Sequence, residues 1–228
     1  MVSDFFTLFY PRICASCAGN LSLNEDFICV SCQFKLPKTQ YSITKDNALC
    51  KLFWGRTNIE TAAAYYYFNN GSKVQHLIHQ LKYKGQKELG FYLGEKYGQE
   101  LILSPLFKSI NVIIPIPLHP QKLKKRGYNQ SEYFAKGLSK SMQKQVNTQS
   151  LIRLKESSTQ TKKTRYERWE NVENIFSIWH AKSLKNKHVL LVDDVSTTGA
   201  TIEAATNTLL QIEGVKISIA SIAFAEKV

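Results

Sequence analysis

Residues 189–201, VLLVDDVSTTGAT, constrain the fold more than any other stretch of the chain. An apolar run leads straight into two carboxylates, then into small hydroxylic residues and a glycine, and then into the start of an amphipathic helix. The run at 188–192 reads as a buried strand. Burying an unpaired carboxylate is costly. Asp193 and Asp194 are therefore expected outside the core, at the strand's carboxyl end, where they can accept hydrogen bonds from vicinal hydroxyls. After Val195, the residues Ser196, Thr197, Thr198, Gly199, Ala200 and Thr201 would turn into the helix. Free backbone N–H groups and hydroxyls at such a turn can surround a phosphate, and Gly199 would let the backbone approach it closely. Sugar hydroxyls beside a phosphate describe a 5-phosphoribosyl group. The plainer reading, a helix cap behind two solvated acids, stays open. No GxxxxGK string occurs, so a Walker-type phosphate loop is absent.

From residue 57 onward the periodicities alternate. Residues 61–68 (TAAAYYYF), 111–116 (NVIIPI), 188–192 and 215–223 read as strands. Between them, Val74, Leu77, Ile78 and Leu81 fall at helical spacing, as do Leu89, Tyr92, Leu93, Tyr97 and Leu101. Tyr133, Phe134, Leu138 and Met142 mark a further helix. Ile202, Ala205, Leu209 and Ile212 line a long last one, stopped by Gly214. Strands apolar throughout, alternating with amphipathic helices, indicate an α/β fold: a parallel sheet with helices on both faces. Ligands of such folds bind at the carboxyl ends of the strands.

Upstream, Cys14-Ala-Ser-Cys17 and Cys29-Val-Ser-Cys32 form two CxxC knuckles with eleven residues between them. Four thiolates about 2.3 Å from a tetrahedral ion make a closed, structural zinc site. Two disulfides or a redox pair are the competing readings; a redox site needs one CxxC, and the apolar N-terminus lacks the basic start of a secretory signal. Cys50 is left over as a buried or free thiol. A polar connection at 38–47 separates the knuckles from the first strand. The expected division is a zinc-finger segment with linker at 1–56 and the α/β domain at 57–228.

The chain carries 30 Lys and Arg against 18 Asp and Glu in 228 residues, a net +12, and 43% hydrophobic residues supply a core. Residues 121–170 alone hold 13 Lys and Arg against 4 Asp and Glu. That stretch is either a solvated surface or the footprint of an anionic partner, nucleic acid or a phosphate-bearing substrate. No apolar run approaches the roughly 18–20 residues of a membrane span, and the protein is expected to be cytoplasmic.

These motifs together carry a resemblance. VLLVDDVSTTGAT resembles the phosphoribosyl-pyrophosphate (PRPP) signature of type I phosphoribosyltransferases. Pro115-Ile-Pro-Leu-His119-Pro, Leu123-Lys-Lys-Arg126-Gly-Tyr-Asn129-Gln130 and Thr159-Gln160…Arg168…Asn171…Phe176, with the CxxC pairs, resemble the ComF family, linked with bacterial competence and DNA uptake. The resemblance implies a type I phosphoribosyltransferase fold, PRPP or another 5-phosphoribosyl ligand, and Mg held mainly by the ligand's own oxygens and water. It implies that Pro115, Ile116, Pro117, Leu118 and His119 form the pyrophosphate loop. Lys122, Lys124, Lys125 and Arg126 would stabilise a departing pyrophosphate, and 153–169 would be a mobile loop closing over the site. Asn129, Gln130, Gln160, Arg168 and Asn171 belong to this basic, flexible region. His119 is a candidate general base, although a histidine after a proline-rich strand is more often structural. Tyr83 and Lys84, in L-K-Y-K-G, match a family segment to which the sequence assigns no role. The implied function is a PRPP pocket serving competence-associated uptake or processing of single-stranded DNA, with competence proteins as partners. Tyr128, Tyr133, Tyr166 and Trp169 are candidate base-stacking residues. The alternative is a metabolic transferase acting on an unidentified nucleophile. No N-terminal cysteine is present to support a glutaminase.

Overall fold

The apolar runs lie side by side. β1 (Thr61–Tyr67), β2 (Val112–Pro115), β3 (Gln145–Val146), β6 (His188–Ser196) and β7 (Lys216–Phe224) form one parallel sheet in the order β1-β7-β6-β2-β3. The computed structural model describes residues 12–154 and 175–226. A separate antiparallel ribbon pairs β4 (Leu151–Arg153) with β5 (Phe176–Ile178). Two short helices, α1 (Val30–Lys35) and α2 (Ala48–Lys51), precede β1 in the chain.

Parallel neighbours need crossovers, and α3 (Lys73–Tyr83), α4 (Lys87–Leu101), α5 (Pro120–Arg126), α6 (Gln130–Met142) and α7 (Ala200–Leu209) supply them. In α3 the predicted stripe, Val74, Leu77, Ile78 and Leu81, is buried in full. Each such side chain contributes about 1.5–3 kcal/mol by leaving water. Ser72 caps that helix, accepting from the Gln75 N–H at 3.2 Å. α4 and α6 cross with their backbones in contact at Gly94 and Gly137. A Cβ at Gly94 would lie 2.1 Å from the Phe134 carbonyl oxygen, and one at Gly137 2.0 Å from that of Phe91.

The strand order locates a crevice. From β2 the chain crosses to β3, on one side; from β6 it crosses to β7, on the other. The connections diverge between β2 and β6, which is the switch point where open α/β sheets bind ligands beyond their strand ends. Pro115 and the Asp193–Ser196 end of β6 lie at that point.

Four local differences from the sequence reading have physical causes. β6 does not stop at Val192. It stays hydrogen-bonded to β7 through Asp193 and Ser196, so the acids lie within the strand, and Asp194 is buried because Lys82 neutralises it. The last helix ends at Leu209; 3-residue turns (Ile212 N–H to Leu209 O, 3.1 Å) carry the buried Ile212 beyond it, and Gly214 follows at φ +70°. The basic segment after β2, read as a loop, is helical from Pro120 to Arg126. His119 caps it, Pro120 occupies its first turn and Gly127, at φ +79°, ends it. The polar connection at 38–47 is buried at four positions, while Lys38, Gln40 and residues 43–46 are exposed. Tyr67 N–H donates to Pro37 O at 2.9 Å, Asn47 Nδ2 donates to Ala62 O at 2.8 Å, and Thr39, Tyr41 and Ser42 are buried. Cys50 is a core thiol: Ala62 N–H donates to its Sγ at 3.1 Å, and burial pushes its pKa up. Among the described residues no helix is long and apolar enough to cross a membrane.

Candidate functional site

The site is built where β6 ends. Each carboxylate accepts from the next backbone N–H: Asp194 N to Asp193 Oδ1 at 2.8 Å and Val195 N to Asp194 Oδ1 at 2.7 Å. Ser131, in the first turn of α6, donates its hydroxyl to Asp193 Oδ1 at 3.0 Å. Lys82, in the last turn of α3, places Nζ 3.0 Å from Asp194 Oδ2. Burial, then the adjacent Asp194 charge, raises Asp193 to about 7, against the opposing pull of the Asp194 N–H, Lys82 and Ser131.

Beyond the acids, residues Val195–Ile202 line a small cradle of about 40 Å³ at the start of α7. Thr197 and Thr198 are exposed there. Ser196 is not available to a ligand in the same way, since it is buried and donates to Ser221 Oγ at 3.1 Å. Gly199 has two reasons to be glycine. Its φ is +74°, and a Cβ would sit 2.9 Å from Phe53 Cε1 and 3.0 Å from Leu52 Cδ2. Arg56 ties the same turn down, donating from Nη1 to Thr198 O at 2.9 Å and pairing through Nη2 with Glu203.

Lys82, the partner of Asp194, also lines a cavity of about 350 Å³ together with Tyr83, Gly85, Lys122, Lys125 and Arg126. Four of its six lining residues are cations, so it suits a multiply charged anion. Its walls are braced: the Arg126 guanidinium stands 5.5 Å from the Tyr83 ring centroid and donates to Gln130 Oε1 at 2.9 Å, and Tyr128 OH donates to Leu81 O.

The pyrophosphate-loop residues lie at the end of β2. Pro115 and Ile116 are buried, with Ile116 N–H donating to Val192 O at 2.9 Å, while Pro117, Leu118 and His119 are half-buried. His119 Nδ1 accepts from Gln121 N–H at 3.4 Å, a capping role. Asn129 and Gln130 are buried at the start of α6, where Asn129 Nδ2 donates to Ile116 O at 3.0 Å and braces that loop. Tyr128 and Tyr133 are engaged within the protein, Tyr133 lying between Lys87 and Lys136 at 5.6 and 4.8 Å. Gln160, Arg168, Asn171, Tyr166, Trp169 and the rest of the expected mobile loop after Leu154 lie outside the described residues. Sequence reasoning missed Lys82, Arg56 and Ser131. Lys82 sits inside L-K-Y-K-G, but only the packing of α3 brings it to Asp194.

Away from the sheet, Cys14, Cys17, Cys29 and Cys32 converge, with their sulfurs all within 4.8 Å of one another. Cys17 Sγ and Cys29 Sγ are 3.9 Å apart; the edge of a tetrahedron around a zinc–thiolate centre is about 3.8 Å. Burial pushes the Cys14 thiol up, but the N–H groups of Cys29, Cys17 and Ser16 outweigh it and bring it to about 7. Burial and the three neighbouring thiols push Cys29 up to about 12, despite a backbone hydrogen bond. The donor set fits a metal ion with no open coordination position.

Known proteins are similar to this chain. A family model described as a phosphoribosyl transferase domain matches residues 129–227. The chain is 27% identical over 217 residues to the DNA utilization protein YhgH of Shigella flexneri, covering 88% of this chain and 92% of that one. It is 27% identical to competence protein ComFC of Bacillus subtilis (92% and 82% covered) and 25% identical to competence protein F of Haemophilus influenzae (95% and 99% covered). Among solved structures it is similar to adenine phosphoribosyltransferase from Leishmania tarentolae, at TM-score 0.40 and 11% identity over 83% of this chain and 94% of that one. It also matches a glutamine PRPP amidotransferase from B. subtilis at TM-score 0.36 and 18% identity, over 59% of this chain and 26% of that longer chain.

Proposed function

This chain belongs to the ComF family of competence proteins and carries a phosphoribosyl transferase domain, and from that premise we propose that it binds PRPP, or another 5-phosphoribosyl ligand, and acts in handling single-stranded DNA during competence. The observation that carries the reading is the convergence at the β2/β6 switch point of an acid pair, a helix-start cradle and a cavity of cations. Asp193 and Asp194 would accept from the ribose hydroxyls. The 197–201 turn would hold the 5-phosphate, and Lys122, Lys125 and Arg126 would face the diphosphate. Mg²⁺ would accompany the ligand on its own oxygens and water. The four cysteines would hold a structural zinc. The DNA part of the reading is supported by the relatives' names and by the excess of Lys and Arg in 121–170.

A metabolic phosphoribosyl transfer is the second reading. The observation in its favour is the cation cavity itself, since cations placed there would stabilise a departing diphosphate at the anomeric carbon.

Calorimetry with PRPP/Mg²⁺ and with single-stranded DNA, separately and together, tests both. Asp193→Asn with Asp194→Asn should weaken PRPP by tenfold or far more, as charge-assisted hydrogen bonds of about 1.5–3 kcal/mol are lost. Unchanged PRPP affinity in that variant would mean the motif has another use. Mutual weakening of PRPP and DNA would place the DNA at the pocket mouth. Pyrophosphate release with an acceptor, without DNA binding at low salt, would favour the transferase.

A further inference from the structure

L-K-Y-K-G is the one motif that the phosphoribosyl reading leaves without a role, and its first lysine stands at the centre of the site. Lys82 Nζ is 3.0 Å from Asp194 Oδ2, with the two side chains 21% and 12% exposed, the least exposed of the ion pairs among the described residues. The same side chain lines the cation cavity with Lys122, Lys125 and Arg126. Its place is fixed from outside. Tyr128 OH holds the Leu81 carbonyl, the Arg126–Tyr83 contact closes the turn, and Gly85, at φ +70°, redirects the chain.

A single ammonium with three donors that lies between a carboxylate and an anion cavity senses both. We propose that Lys82 is a bridging cation: it holds the Asp194 carboxylate in place for the sugar hydroxyls and also presents a donor to the diphosphate of the ligand. The role rests on the phosphoribosyl reading. It makes Lys82 a positioning residue toward the acids and a binding residue toward the diphosphate. The groups that set the charge at Asp193 are Asp194 beside it, Lys82 from α3 and the Ser131 hydroxyl from α6; Lys122, Lys125 and Arg126 of α5 face the cavity beyond. Lys82 pulls the carboxyl down, so its removal leaves Asp193 protonated to higher pH.

The experiment uses the full chain with two probes, inorganic pyrophosphate with Mg²⁺ and PRPP with Mg²⁺, titrated across about pH 6 to 9. Lys82→Met should weaken pyrophosphate tenfold or more and move the pH at which PRPP affinity rises to a higher value. Lys82→Arg, which keeps the charge, should retain most of the affinity and the parent's pH profile. A lysine that only held the fold would lower affinity equally at every pH, and that result overturns the proposal. So does a Lys82→Met protein that binds both probes like the parent. If Lys82→Met fails to fold, a Lys82→Arg protein with tenfold weaker pyrophosphate binding also overturns it. A parent chain that binds PRPP while Lys82→Met is unaffected removes the bridge and leaves the phosphoribosyl reading standing; a parent that binds neither probe removes both.

Discussion

The four cysteines converge from a stretch of 19 residues, Cys14 to Cys32, whereas the acid pair draws its side-chain partners from α3 and α6. The first is closed by two knuckles and the short helix α1, whose N-cap is Cys29 and whose one buried residue is Cys32. The second exists only once the sheet has ordered. A local site folds by satisfying its own ligand geometry; a site at a switch point inherits its geometry from the packing of everything around it. The two regions nevertheless touch. Phe53 and Leu52 lie against Gly199 and Arg56 holds Thr198 O, so the segment that follows the cysteines backs the 195–202 cradle.

The largest expected effect breaks the local site. Cys14 and Cys32 are buried in the same core as Ile28, Leu36, Leu49 and Phe53. A structural zinc contributes on the order of 10 kcal/mol to folding such a segment. Elemental analysis should give about one zinc per chain. Cys32→Ser, or a strong chelator, should lower the melting temperature sharply and open the 12–56 region to proteolysis. PRPP affinity should fall with it, because Phe53 would no longer back Gly199. A metal-free protein with parental melting and parental affinity would separate the two regions altogether.

A smaller effect, of opposite sign for stability and for binding, is expected at the switch point. Asp193 is raised to about 7 from an ordinary 3.8, so the folded chain binds the extra proton. Its stabilising contribution is full below about pH 4 and is lost as pH rises through about 7. Asp193→Asn removes that loss. Urea midpoints of the variant should therefore rise relative to the parent between pH 5 and pH 8, while its PRPP affinity drops. A midpoint difference that shrinks with pH would contradict the burial argument.

The smallest effect sharpens the contact between the regions. Arg56→Met removes the hydrogen bond to Thr198 O and the partly exposed pair with Glu203, worth about 1 kcal/mol together. The melting temperature should move by a few degrees at most. PRPP affinity should fall severalfold through a looser 197–199 turn, and hydrogen exchange at Thr198–Ala200 should quicken. A faster exchange without loss of affinity would show that the cradle does not need the brace.

Much of this protein is legible in its residues taken in order. The zinc-type spacing of Cys14 to Cys32, the stripe Val74–Leu77–Ile78–Leu81, the apolar strands and the acid pair running into a glycine and a helix are all local patterns, and local patterns are fixed by periodicity and ligand spacing. What the tertiary structure alone decided is of another kind. Asp194 can stay within a buried strand because Lys82, 112 positions earlier, reaches it. Gly199 must be glycine partly because Phe53 arrives from the far end of the chain, and Thr39 and Asn47, in a stretch polar enough to read as a linker, are buried because β1 offers them backbone partners. Such facts depend on which distant surfaces meet, and a charge or a steric limit contributed by a distant element leaves no mark on the residues it acts upon.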